Sequence, residues 1–124
     1  MLSSIRNYLF GRPASTMSGK QRETITSFVD DLIADNRIAV FSKSYCPYCR
    51  RAKQLLSGKY SDVPATVIEL DERSDGSDIQ DYLAEKTGQS TVPNIFIDTK
   101  HIGGSSDLIA LEESQQLGAL INKL

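Results

Sequence analysis

The stretch KSYCPYCRRAKQLL, Lys43–Leu56, holds both cysteines of a 124-residue chain. Sulfurs two residues apart close a very small ring if they bond. Such a ring removes little loop entropy, so it adds little to stability. The pair is therefore read as chemistry. Before it lies RIAVFS, Arg37–Ser42, a short β-rich apolar run that predicts a buried strand. After it, Ala52, Leu55 and Leu56 recur at helical spacing, with a stop expected near Gly58. The motif thus falls where a strand hands over to a helix. Pro47 suits a first helical turn, because its missing N–H would have had no partner inside the helix. Cys46 is then expected at or near the N-cap, where unpaired N–H groups and the helix dipole favour a thiolate. In this position a thiol can fall from its free pKa of about 8.5 to between roughly 3.5 and 7.5. Cys46 is the expected nucleophile. Cys49, one turn further in, is the expected resolving thiol.

Moving outward, Ile25, Phe28, Val29, Leu32 and Ile33 predict an amphipathic helix from Gly19 to about Asp35. Thr66–Leu70 predicts a second strand and Asn94–Asp98 a third. A fourth, Lys100–Gly104, follows across a tight turn. Ser77-Asp-Ile-Gln80 resembles a capping box opening a helix that runs to Gly88. Ser106 is expected to cap one last helix carrying Leu108, Leu111, Leu117, Leu120, Ile121 and Leu124. The order helix, β, α, β, α, β, β, α reads as an α/β domain. Its crossover joins two parallel strands, then a hairpin and a covering helix follow. The cysteines lie at the carboxyl ends of the parallel strands, where open α/β sheets place their sites.

One domain fits this length, with 40% hydrophobic and 24% charged residues. Residues 1–22 carry Arg6, Arg12, Lys20 and Arg22 and no acid, leaving ten basic against sixteen acidic residues, a net −6, in the remainder. Phosphate repulsion makes so acidic a domain a poor nucleic-acid binder. No apolar run approaches the roughly 20 residues needed to span a bilayer, so no membrane partner is expected. The head, residues 1–18, has the composition of a mitochondrial transit peptide, with residues 19–124 as the domain. Met17 offers a second start, so cytoplasmic and mitochondrial forms are both expected.

Other uses of the thiols were weighed. A structural disulfide is disfavoured in a reducing compartment. A zinc site lacks a second cysteine pair, and His101, the sole histidine, reads as a solvated turn residue. An iron–sulfur cluster shared by a dimer is a further alternative, made less attractive by the stiffness of Pro47. A thioredoxin-type reductase would use the same dithiol without glutathione. No metal is expected.

Lys43-Ser-Tyr-Cys-Pro-Tyr-Cys49, Ile79-Gln-Asp-Tyr-Leu83, Thr91-Val-Pro93 and Gly103-Gly-Ser-Ser-Asp-Leu108 together resemble the dithiol (CPYC) glutaredoxins over about Gly19–Leu124. The resemblance implies a thioredoxin fold, a four-stranded mixed sheet flanked by helices. It also implies glutathione-dependent reduction of protein–glutathione mixed disulfides and of other disulfides. Glutathione is the implied co-substrate, glutathione reductase an indirect partner, and a monomer the expected form. Ser106 and the N–H groups of its helix suit the γ-glutamyl carboxylate, and Asp107 the ammonium. Thr91-Val92-Pro93 resembles the family's cis-proline loop, with Val92 presenting its backbone to the glutathione cysteine. By resemblance Lys43 and Gln80 bind the glycine carboxylate, with Tyr48 lining that end.

Overall fold

The computed structural model describes residues 18–122. The transit-like head to Met17, and Leu124 at the other end, lie outside them. Helix α1 (Gly19–Asp35) opens on Ser18, whose Oγ accepts a hydrogen bond from the Gln21 N–H at 3.0 Å. The elements that follow are β1 (Ile38–Ser42), α2 (Pro47–Lys59), β2 (Ala65–Glu69), α3 (Gly76–Thr87), β3 (Asn94–Ile97), β4 (Lys100–Gly103), α4 (Ser105–Glu113) and α5 (Leu117–Ile121). A short 3-10 turn, Leu70–Glu72, links β2 to α3.

The sheet order is β2-β1-β3-β4. β1 runs parallel to β2, with Val40 opposite Val67, and antiparallel to β3, which pairs antiparallel with β4. β1 is buried along its whole length because it lies between two strands and two helical layers. Its side chains alternate between two cores. Ala39 and Phe41 join Phe96, Leu70 and the inner faces of α1 and α3; Ile38 and Val40 join Ile95, Ile97 and the inner faces of α2, α4 and α5. Phe41 meets Phe96 edge to face at 6.0 Å, a contact worth about 0.5–1.5 kcal/mol beyond its buried area. Asp98 and Thr99 both hold left-handed conformations (φ 53° and 66°), the twist that a two-residue hairpin needs.

Three expectations about helix ends are corrected. α3 begins at Gly76, with Asp75 as its N-cap, so Ser77 lies inside the first turn and caps nothing. Gln80 makes no reciprocal cap either; its amide donates to the Ser90 carbonyl at 2.7 Å. The helix after β4 is capped at Gly104, and Ser106 is its second residue. That last helix is in fact two. Ser114–Gln116 interrupts it, with Gln115 at φ 66°, and the break turns α5 back so that Leu117 and Ile121 reach the core. α2 ends at Lys59, as the stop expected near Gly58 requires.

Candidate active site

The site is assembled from the ends of three segments. β1 delivers the chain to Lys43, and α2 starts with Cys46 as N-cap (φ −84°, ψ 121°) and Pro47 in its first turn. Cys46 is partly exposed and Cys49 fully buried; both are free thiols. The loop before β3 brings Val92 to Cys46, with Cys46 Sγ 4.0 Å from the Val92 carbonyl oxygen and the Val92–Pro93 peptide cis. The third segment is the start of α4. Tyr48, Thr91, Val92, Pro93, Ser105, Ser106 and Asp107 line one open groove of about 460 Å³ beside Cys46.

The two sulfurs are electrically unlike. Burial pushes the Cys46 thiol up, but the N–H of Cys49, the Cys49 thiol, the Tyr48 N–H and the charge of Arg50 together outweigh it, and its pKa is lowered. Burial likewise pushes Cys49 up, and there it wins. The Lys43 N–H, 3.5 Å from Cys49 Sγ, and the Ser42 hydroxyl pull the other way without reversing it. One thiol ionises more readily than a free cysteine and the other less readily. Alkylation of Cys46 by iodoacetamide should therefore reach half its maximal rate at a pH below the about 8.5 of a free cysteine. The rate should fall as the pH drops through that midpoint, because only the thiolate reacts. A midpoint at or above the free value, followed by mass spectrometry of the Cys46 peptide, would contradict this.

Asp107 serves the backbone as well as the groove. Its Oδ2 accepts the Gly104 N–H at 2.9 Å, which fixes the first turn of α4. Gly103 must be glycine for that reason. Its φ of 121° is left-handed territory, and a Cβ there would overlap the Asp107 carboxylate. The Ser105 hydroxyl is buried and has no hydrogen-bond partner.

Lys43 and Gln80 do not line the groove. Lys43 is tied to the site by its backbone, its carbonyl accepting the Cys46 N–H at 3.1 Å. Gln80 is tied to the same loop through Ser90. Sequence reasoning missed Gln89. Its amide donates to the carbonyls of Thr91 (3.1 Å) and Pro93 (2.9 Å), bridging both flanks of the cis bond. His101 is exposed, as read, but it is a strand residue and not part of the turn. It lies in β4, its Nε2 2.9 Å from Asn94 Oδ1, against the Phe96 ring at 5.2 Å, and burial lowers its pKa. Among the described residues no group of three histidine, cysteine or acidic side chains could hold a metal ion.

The comparisons with known proteins agree with one another. The glutaredoxin family model matches residues 38–102. Glutaredoxin-1 of Rhizophagus irregularis is 50% identical over 96 residues, 77% of this chain and 93% of the relative. Glutaredoxin-2 of Schizosaccharomyces pombe is 51% identical over 98 residues, 79% and 87% of the two chains. Among solved structures, a buckwheat glutaredoxin–glutathione complex superposes with a TM-score of 0.79 at 36% identity, over 86% of this chain and 96% of that one. A wheat glutaredoxin gives 0.74 at 45% identity, over 80% and 92%.

Proposed function

The chain belongs to the glutaredoxin family, and from that premise we propose that it reduces protein–glutathione mixed disulfides, with glutathione as the electron donor. The observation that carries the proposal is the pairing of a lowered, accessible thiol at a helix N-cap with a buried, raised one a turn away.

In the first half-reaction the Cys46 thiolate attacks the glutathione sulfur of the mixed disulfide. A Cys46–glutathione bond forms, the bond to the substrate protein breaks, and the departing protein thiolate takes a proton from water. A second glutathione thiolate then attacks the glutathione sulfur of the adduct, releasing oxidised glutathione and restoring the Cys46 thiolate. Two electrons pass from glutathione to substrate. For a protein disulfide, Cys46 attacks one substrate sulfur. Cys49, losing its proton to the freed thiolate, then attacks the Cys46 sulfur, breaking its bond to the substrate and releasing the second substrate thiolate, which takes a proton from water. Two glutathiones reopen the resulting bridge. The lowered pKa of Cys46 makes it the better leaving group when glutathione attacks the glutathione sulfur of the adduct.

The groove supports the glutathione assignment. The Val92 backbone can pair with the central cysteine of glutathione as one strand pairs with another, between Thr91 and Pro93. The free N–H groups opening α4, with Ser106, suit the γ-glutamyl carboxylate, and Asp107, one oxygen of which already holds Gly104, faces the ammonium. Tyr48, 60% exposed, forms the opposite wall. Lys43 and Gln80 enter as partners of the glycine carboxylate on family resemblance. The buckwheat protein was solved with glutathione.

The test is turnover of a small glutathione mixed disulfide coupled to glutathione reductase. Wild type should be active, and Cys49→Ser should keep the activity within a few-fold while losing at least about ten-fold on a dithiol-dependent protein disulfide. Silence of wild type in the coupled assay would sink the glutathione reading.

A further inference from the structure

A second groove, of about 360 Å³, lies between α2 and β2. Its floor is apolar, with Leu56, Tyr60, Val63, Ala65 and Val67. Arg50 stands at one end. Glutathione has no use for this face, since the lining of its groove is on the other side of Cys46. We propose that the α2–β2 groove seats the polypeptide flanking the modified cysteine of a glutathionylated protein substrate, an extended segment with a carboxylate near the cysteine and an apolar side chain further along.

Position supplies the first argument. The Arg50 N–H bonds the Cys46 carbonyl, so Arg50 is one turn beyond the nucleophile, and Gln54 and Ser57 continue the same ridge along the groove. From Cys46 to Ser57 the helix rises about 16 Å, a distance that an extended chain covers in about five residues. β2 is an edge strand, so its outer backbone groups can pair with such a segment while Ala65 and Val67 turn towards α2.

Charge supplies the second. The domain is acidic overall, yet the exposed Arg50 and Arg51 form no ion pair with any described residue. Lys53 does not add to them, being neutralised by Glu69 at 2.7 Å. Arg51 lies 5.8 Å from the centre of the ring of Tyr48, which lines the other groove, so Arg50 is the unpaired cation of the α2–β2 groove. Asp71 is engaged by the Ser44 N–H and hydroxyl. The unpaired Arg50 guanidinium selects a carboxylate-bearing chain.

This inference rests on the proposed glutathione chemistry, and the experiment separates the two. Three substrates are compared: glutathionylated cysteine alone, a peptide with glutamate next but one to the glutathionylated cysteine and leucine about five residues away on either side, and the same peptide with lysine and serine at those positions. Ratios of kcat/KM between peptides cancel any change in Cys46 reactivity caused by removing Arg50. Wild type should prefer the glutamate–leucine peptide by about ten-fold. Arg50→Glu should abolish or invert that ratio, and Ser57→Trp, which fills the groove from an exposed position, should remove the advantage of leucine. Equal rates on both peptides in wild type would overturn the inference. So would a preference that survives the charge reversal, or one untouched by Ser57→Trp. If glutathionylated cysteine alone is not turned over, it is the glutathione chemistry that fails.

Discussion

Cys46→Ser is expected to lower turnover of the small glutathione mixed disulfide by about three orders of magnitude or more. A serine hydroxyl at a helix N-cap remains protonated at neutral pH and cannot accept glutathione in a reversible disulfide. Cys49 cannot take over. It is fully buried, its thiol is pushed up by that burial, and its sulfur faces the Lys43 N–H rather than the glutathione groove. The fold should be unaffected, because Ser is itself a favoured N-cap residue and Cys46 closes no cap bond from its side chain. Measuring the coupled rate alongside the melting temperature checks both halves. Turnover within ten-fold of wild type would remove Cys46 from its role.

Gly76→Ala is expected to have the largest effect on stability, about 3 kcal/mol, or roughly 10 °C or more in melting temperature. Gly76 is buried at the start of α3, where its N–H donates to the Arg73 carbonyl at 3.2 Å. A Cβ at this position would overlap the Leu70 carbonyl oxygen and lie 2.8 Å from its carbon. That neighbour is backbone, so no rotamer change relieves the clash. Either the 3-10 turn or α3 must move, and with them Leu70, Ile79 and Leu83 in the core beneath α1. The cysteine motif belongs to the opposite helical layer but is tied to that turn through Asp71, whose carboxylate accepts the Ser44 N–H and hydroxyl. A melting temperature unchanged within error would show that the close approach is not needed.

Gly76 also shows what a sequence conceals. The strands were legible as short β-rich apolar runs, and α1 because its apolar residues recur at helical spacing. The chemistry was legible because Cys-Pro-Tyr-Cys after a strand allows few structures, and Pro47 marks the helix start. The entry to α3 was misread because Ser77 and Gln80 have the spacing of a capping box. A tertiary contact overrode that local pattern: the backbone of residue 76 packs against Leu70, and Asp75 becomes the cap. The start of α4 was misread in the same way. Ser106 looks like a cap, but the Asp107 carboxylate reaches back to the Gly104 N–H and sets the boundary two residues earlier. The break before α5 left no mark, since nothing in Ser114-Gln115-Gln116 demands a left-handed residue. Gln89 offered none either. A glutamine after the Gly88 helix end is ordinary until the loop folds and brings two carbonyls to its amide.

The unequal burial of the two sulfurs has a bearing on oxidative wear. An oxidant arriving from solvent meets Cys46 and not Cys49, so the first lesion is a sulfenic acid at the accessible position. The neighbouring thiol, kept intact by its burial, can displace that hydroxyl as water and close a disulfide. Damage is thereby converted into the oxidised form that the working cycle already reduces, before it can advance to an irreversible acid.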